Sequence, residues 1–538
     1  MQSAITTEFH VPSSGMLGTF STTFLDPSPA ERYDLLGSAL AIGLGVASSA
    51  QADAILEGYP HLPKGPPVFW PQQQDVPIYH NRGIWPFVTA LWARAAKEAG
   101  HARAVAHATR SLVRGAALNL SNMENFEAAT GAAWLDEGST SGPVVNSQRQ
   151  LWSVAGYVSL VHDVLFGLEA SQSGIRFAPF IPHEVRNTLL AGADRIALSG
   201  IPYKGKRIIV ELLLPATSSA TDGALQVQSV QLNGSDVGTD FVDASQLEDQ
   251  NLFRLVLVDG STAAEPMTLL DDGGVADYRN VFGPHTPTIS SVSVDNGRLR
   301  VTFAVSGESA SDIAFNVYRD GQQVASALPG STTSWRDDGS AAHATTSYCY
   351  TVEAYYSGSG NHSQHAKPFC YWGPSSNRIQ TVPATSFTAV GGTLVYQYGR
   401  DHYQGWGDPS HTLTVDGFTP TFTGLHYIQL LAGNGAGSYS TGITCAVKRV
   451  QVFEGATVIA SGYVMMPHLG TWDDWRESSF LPVTLESTKS YRIVIDEDSR
   501  AINMSELDHF ATYANTGGAT GRFNRVNIAE VKVLGVDL

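Results

Sequence analysis

The sequence predicts a multidomain α + β protein in which a helical part, residues 1–176, precedes three β-sandwich domains. Three observations carry this. The chain has 538 residues, too many for one hydrophobic core and enough for three or four domains. Up to about residue 176 apolar residues recur at three-and-four spacing, and beyond it they alternate between turn residues. Gly is abundant (52) and aromatics reach 10%, yet only 15% of residues are charged, against roughly 25% in an average soluble protein. A hydrophobic fraction of 43% excludes disorder. With 33 basic and 50 acidic residues, the net charge of −17 opposes phosphate backbones and anionic membranes, so neither nucleic acid nor membrane insertion is expected. A surface covered largely by hydroxyl, amide and aromatic groups suits neutral, hydroxyl-rich ligands such as carbohydrate.

Taken in order, helices are predicted over 31–48, near 51–57, and over 83–99, 101–118 and 147–168. Phe87, Val88, Leu91, Trp92 and Ala95 mark one helix face, and Leu151, Val154, Val158, Val161, Leu165 and Leu168 another. The longest apolar run, Leu35 to Ala47, is broken by Gly37, Ser38, Gly43 and Gly45 and reads as a core helix rather than a membrane span. The opening MQSAITTEFHVPSS has no basic segment followed by an apolar one, so no secretory leader is read there. The connections are long, and Tyr59–Tyr79 holds six prolines; such loops tend to carry function. RIALSG, KRIIVELLLP and LQVQSVQLNG then predict a sandwich over 177–283. Over 284–378, short strands, the NVYRDG hairpin and a Tyr-rich penultimate strand resemble a fibronectin type III module, read as a spacer. Alternating, Gly-rich runs over 379–538 predict a jelly-roll-like sandwich. Cys349 and Cys370 lie in neighbouring predicted strands, either bridged or packed as two small hydrophobes; a bridge would imply an oxidising compartment. The three cysteines match no zinc pattern.

Two stretches of the helical part concentrate chemistry. PIYHNRGIWPFV (77–88) sets Tyr79, His80, Asn81, Arg82 and Trp85 at the entry of a helix. NLSNMENFEAATGAAWLDEG (119–138) gathers Glu124, Glu127, Asp136 and Glu137 beside Trp134. Carboxylates among aromatics, in a region poor in charge, suit acid/base work on a glycosidic bond; the bland alternative is a solvated loop that caps the next helix. YHNRGIW, then ENFEAATG, then QRQLWSVAGYVSLVHDVLFGL resemble the second half of a six-hairpin, (α/α)6-toroid glycosidase of the glycoside hydrolase family 63 or rhamnosidase-like type. NRGIW keeps the Arg-Gly and Ile-Trp elements of the family stretch and lacks the Pro between them. The resemblance implies a partial toroid with about half the helices, an inverting hydrolase, and Glu124, six residues before Thr130-Gly131, as general base, with Glu127 second. Tyr79, His80, Asn81, Arg82, Trp85, Trp134 and Trp152 would line the substrate pocket, the alternative for His80, Asn81, Arg82 and Trp85 being helix capping and core packing. It also implies an extracellular or periplasmic location. The family's general acid lies in an earlier hairpin that this chain lacks, so the acid would come from an N-terminal half encoded upstream, and the chain alone is expected to be inactive or weak.

The 379–538 segment resembles galactose-binding-like carbohydrate-binding modules. Trp406, Trp472, Trp475 and Asn524 are its candidate sugar contacts, the alternative being that these aromatics fill the core. Asp473, Asp474 or Asp508 could hold a structural Ca²⁺, but no loop pattern demands one, and no cofactor or metal is expected. Two functions compete: the C-terminal portion of a glycoside hydrolase, or a non-catalytic glycan-binding or scaffold protein. A toroid phosphorylase or a polysaccharide lyase is more remote; a lyase acting on uronic acids should display several pocket cations, and this region offers chiefly Arg82 and Arg149.

Overall fold

A computed structural model describes residues 2–19, 21–23, 25–76, 78–133, 147–340, 347–372, 378–435, 445–497 and 525–536. Trp134, Asp136, Glu137, Asp508 and Asn524 therefore lie outside the described residues. Among the described residues strands predominate, and the helices of seven or more residues all precede residue 166: α1 (Gln2–Glu8), α2 (Leu35–Gly43), α3 (Ser49–Gly58), α4 (Pro86–Glu98), α5 (Ala102–Asn119) and α6 (Leu151–Ser159), which continues as a wider-wound turn over Leu160–Leu165. No helix among the described residues is long and apolar enough to cross a membrane.

Local sequence explains the helix ends. The predicted helix over 31–48 begins only at Leu35, because Tyr33–Asp34 pairs as a strand with Phe69–Trp70 and Asp34 then caps α2. It stops at Gly43, and Gly45 takes a positive φ of 64°. Ser48 and Gln51 form a reciprocal capping box on α3. Pro86 opens α4, where its missing N–H costs nothing. α4 packs against α2, α5 and α6, and its Trp92 and Ala93 are fully buried. By contrast α6, with the sequence LWSVAGYVS, fully buries only Ser153.

Two compact units divide the chain. The first comprises Met1–Ile289, Phe303–Thr333 and Thr351–Lys367, the second Ser290–Thr302, Ser334–Tyr350 and Pro368–Leu538. The strands of the 284–378 stretch are thus shared out: the hairpin Ile313–Arg319/Gln322–Pro329 belongs to the first unit, and Ser334–Asp337 and Phe369–Tyr371 belong to the second.

Within the first unit a five-stranded sheet runs Ser235–Asp236, Gln226–Leu232, Gln250–Val258, Lys206–Leu213, Arg195–Tyr203. Lys206–Leu213 and Gln250–Val258 pair in parallel. A three-stranded sheet of Val242–Asp243, Gly174–Phe177 and Leu168–Ala170 shares its core, where Ile175, Phe177, Ile208, Val210, Phe253 and Leu255 are buried. The same unit holds an ionic cluster. Glu353 is fully buried, with His362 Nδ1 at 3.2 Å and His365 Nε2 at 3.3 Å; Tyr318 Oη–H and Asn316 Nδ2–H donate to its Oε1 at 2.6 and 2.9 Å. His365 Nδ1 also lies 2.8 Å from Asp26, which is buried in the strand Asp26–Pro29.

In the second unit one sheet runs Thr393–Gln397, Arg400–Gln404, Asn527–Val536, Gly424–Gly433, Arg476–Glu477, with Ile379–Pro383 and Leu481–Leu485 added to its inner strands. The other runs Thr388–Val390, Thr412–Phe418, Tyr491–Asp496, Ala446–Glu454, Thr457–Met466. Alternate residues of both line one core, as in Ala446–Glu454 where Ala446, Lys448, Val450 and Val452 point inward. The inward Lys448 donates to the Gly407 carbonyl at 2.9 Å and pairs with Glu497. Cys349 and Cys370 stand opposite each other on antiparallel strands and are bonded, closing a 21-residue separation.

Two outcomes are expected. The carboxylates around His365 raise its pKa from 6.5 to about 9 despite the opposing cost of burial, while the imidazoles beside Glu353 hold that carboxyl well below its usual range. A raised folded-state pKa contributes stability that is complete below pH 6.5 and disappears as pH rises through about 9. Unfolding free energy by urea should therefore fall by about 3 kcal/mol between these limits, and His365→Gln, though less stable throughout, should flatten that slope. An unchanged slope would remove His365 from the account. Thiol titration of the unfolded, unreduced chain should find one reactive cysteine, Cys445, and three after reduction.

Candidate functional site

The 77–88 and 119–138 stretches meet through a short antiparallel pairing, Gly83 opposite Glu127 and Ile84 opposite Phe126. Gly83 is required there. A Cβ on it would stand 2.3 Å from the Tyr79 carbonyl oxygen and 2.8 Å from Trp85 Nε1. That close approach lets Trp85 Nε1–H donate to the Tyr79 carbonyl at 3.0 Å, which closes the 79–85 loop against the start of α4. Arg82, within the loop, has a positive φ of 60°.

Glu124 and Glu127 are both buried, at 5% and 4% exposure, but they do different work. Tyr79 Oη–H donates to Glu124 Oε1 at 2.9 Å, and the Ser147 amide donates to Oε2 at 3.1 Å. Desolvation, and then the Glu124 carboxylate, raise the Tyr79 pKa, so the phenol keeps its proton and donates. Glu127 is tied into its own loop. The Thr130 amide and hydroxyl donate to its Oε2 at 2.6 and 2.7 Å, and Arg82 Nε lies 3.6 Å from Oε1. Its backbone also holds Ala132 and Gly131. Glu127 thus fastens the loop, whereas Glu124 faces a ring.

Around Glu124 the rings form one cluster. His80 stacks on Trp85, with centroids 4.8 Å apart and planes 12° from parallel, and Tyr79 meets both edge-on. The covered face desolvates His80 and lowers its pKa, against the pull of Glu124. Trp152, at the start of α6, lies 6.0 Å from Trp85 and stacks on Phe87 at 4.9 Å. Trp152 is 46% exposed, whereas Trp85 is 3%. The sequence places Phe87 only on a packing face of α4; its position two residues beyond Trp85, at the helix entry, was the available signal. Asn81 is a loop staple, its amide bonded to Gln73 and Val76.

In the second unit the three Trp candidates differ. Trp406 is fully buried in the sandwich core, with Lys448 5.3 Å from its ring centre, so it has no free face for a sugar. Trp475 is half-buried: its Nε1–H donates to the Tyr398 carbonyl at 3.1 Å, Arg400 lies over the ring at 5.2 Å, and His402 meets it edge-on at 5.1 Å. Trp472 is half-buried in the same segment, where its carbonyl and amide press on Gly433 and Gly435. No group of three His, Cys, Asp or Glu residues able to hold a metal occurs among the described residues.

No family model matches this chain, and no curated protein does. Solved structures do. The C-terminal CBM6 of LamC, a marine laminarinase from Zobellia galactanivorans, is 14% identical, with 29% of this chain and 99% of that chain covered and a TM-score of 0.20. A family 35 carbohydrate-binding module from Clostridium thermocellum is 12% identical, covering 29% and 98%, at 0.21. CBM35 from Paenibacillus barcinonensis is 13% identical, covering 29% and 98%, at 0.20.

The geometry makes one mutational expectation. Gly83→Ala should lower stability by about 1–3 kcal/mol in urea unfolding, because the new methyl meets a backbone carbonyl that cannot move without opening the loop. Gly43→Ala, with open space around its Cβ, is the control and should be neutral or stabilising. Equal effects would show that the 79–85 loop yields freely.

Proposed function

We propose that this chain is a non-catalytic glycan-binding protein whose principal contact is the ring cluster at Trp152. The observation that supports this is the half-exposed Trp152, stacked on Phe87 and backed by Trp85, next to a carboxylate that Tyr79 orients. Flat apolar ring faces pack against the C–H faces of pyranoses, and a few fixed polar groups read the hydroxyls. Trp475 with Arg400 forms a second candidate surface in the 379–538 sandwich. In this reading 177–283 and the fibronectin-like 284–378 segment are supporting sandwiches. The Cys349–Cys370 bond supports work in an oxidising, extracellular or periplasmic setting.

A second reading keeps the catalytic chemistry. Residues 1–176 are then half of an (α/α)6 toroid and Glu124 is the water-activating base of an inverting glycosidase, its acid partner about 6.5–9.5 Å away on a segment outside this chain. The observation favouring it is α6, an apolar helix of which only Ser153 is fully buried, as expected of an inner helix that lacks its neighbours.

One experiment separates the two. The full chain is screened on a glycan array, the best ligand is titrated by calorimetry, and the mixture is assayed for new reducing ends. Binding that weakens about tenfold or more in Trp152→Ala, without turnover, is the expected result. Release of fluoride from glycosyl fluorides, whose leaving group needs no acid, that Glu124→Gln abolishes while binding persists would establish the second reading instead. Failure of every glycan to bind would end both.

A further inference from the structure

α5 carries His107, Arg110, Ser111 and Arg114 at the i, i+3, i+4, i+7 spacing of a single helix face. The Pro63–Lys64–Gly65 turn lies against that face. A Cβ on Gly65, whose φ is 154°, would fall 2.2 Å from Ser111 Oγ, so the turn is pressed onto the helix. Between them is a cavity of about 320 Å³ lined by Pro63, Lys64, His107, Arg110, Ser111 and Arg114. Three of these six side chains are cationic and none is a carboxylate, in a chain of net charge −17.

The cations are only partly satisfied. Lys64 pairs at 3.3 Å with Asp272, whose side chain is 78% exposed, and half-exposed Arg110 pairs with Glu184. Exposed pairs of this kind contribute little and exchange readily. Arg114 donates through Nη1 to the Gly131 carbonyl at 2.9 Å and faces no carboxylate among the described residues. His107, 2% exposed, bonds to the Leu62 backbone, and its Nδ1 has no hydrogen-bond partner. The neighbouring His61 cannot supply one: its Nδ1 faces the Tyr59 carbonyl at 2.8 Å, and its Nε2 accepts from Trp92 Nε1–H at 3.1 Å. The Arg114 guanidinium, which faces no carboxylate among the described residues, two partly exposed cations and a hydroxyl therefore border one cavity, and these groups recognise a tetrahedral oxyanion through charge-assisted hydrogen bonds.

We propose that this cavity binds a phosphate or sulfate group, free or carried on a sugar. It lies apart from the Trp152 cluster and stands independently of the glycan reading. The test titrates the full chain with inorganic phosphate, sodium sulfate and glucose 6-phosphate by calorimetry, with ³¹P line broadening on the unaltered protein as a second readout. One saturable site is expected. It should weaken with added NaCl and by about tenfold or more in Lys64→Gln and in Arg110→Gln, both at partly exposed positions where folding is spared. Tighter binding of glucose 6-phosphate than of phosphate would assign the site to an anion on a sugar, and equal binding would assign it to the free anion. Absence of saturable binding and of line broadening, or unchanged affinity in both variants, would overturn the proposal.

Discussion

Glu353 has no exposed surface, and the first compact unit is organised around what neutralises it. A lone buried carboxylate is costly, and only paired, hydrogen-bonded surroundings make it tolerable. Those surroundings come from three stretches far apart in the chain. Tyr318 and Asn316 donate from the strand Ile313–Arg319, His362 and His365 approach from the segment after Glu353, and Asp26 completes the chain of charges from the N-terminal strand. Arg32, also buried, donates to the carbonyls of His362 and Pro71 and so ties the same segment to the loop that leads to Tyr79. Sequence separations of more than three hundred residues are thereby closed by ionic contacts that have no substitute in solvent.

The candidate site depends on this framework at one remove. Gln72, next to Pro71, accepts from the Arg82 amide, and Arg82 enters the 79–85 loop with the left-handed backbone that turns Tyr79 and Trp85 toward each other. The short pairing of Gly83 with Glu127 brings the carboxylate loop alongside. Two acidic residues three apart in sequence then separate in role. Glu127 is consumed by Thr130 and Arg82, while Glu124 reaches Tyr79 and the rings. The same loop touches the cationic face of α5 through Arg114 and Gly131, so the ring cluster and the cationic cavity share a structural neighbour without sharing a residue.

Local patterning made much of the architecture legible in advance. The three-and-four spacing in α4 and α5, the alternation in Ala446–Glu454, and the turn chemistry after residue 176 are short-range signals, and the elements they predict are present. The predicted start of α2 was too early because strand pairing by Tyr33–Asp34 overrides helical periodicity, and nothing within that window announces the partner at Phe69–Trp70. Trp406 shows the matching failure at the level of function. An aromatic flanked by Gly and Asp reads equally as a surface platform or as core, and only its zero exposure decides.

By itself, then, the sequence determined the order of helical and β parts, the low charge, and which stretches concentrate aromatic and acidic residues, since composition and periodicity are properties of short stretches. Tertiary structure decided which of those residues are available. It buried Trp406, tied Glu127 and Asn81 into loops, left Trp152 facing outward, and gathered Lys64 with the α5 cations. It also assembled the Glu353 cluster, because the desolvation that makes one carboxylate need two imidazoles exists only once the chain has folded around it.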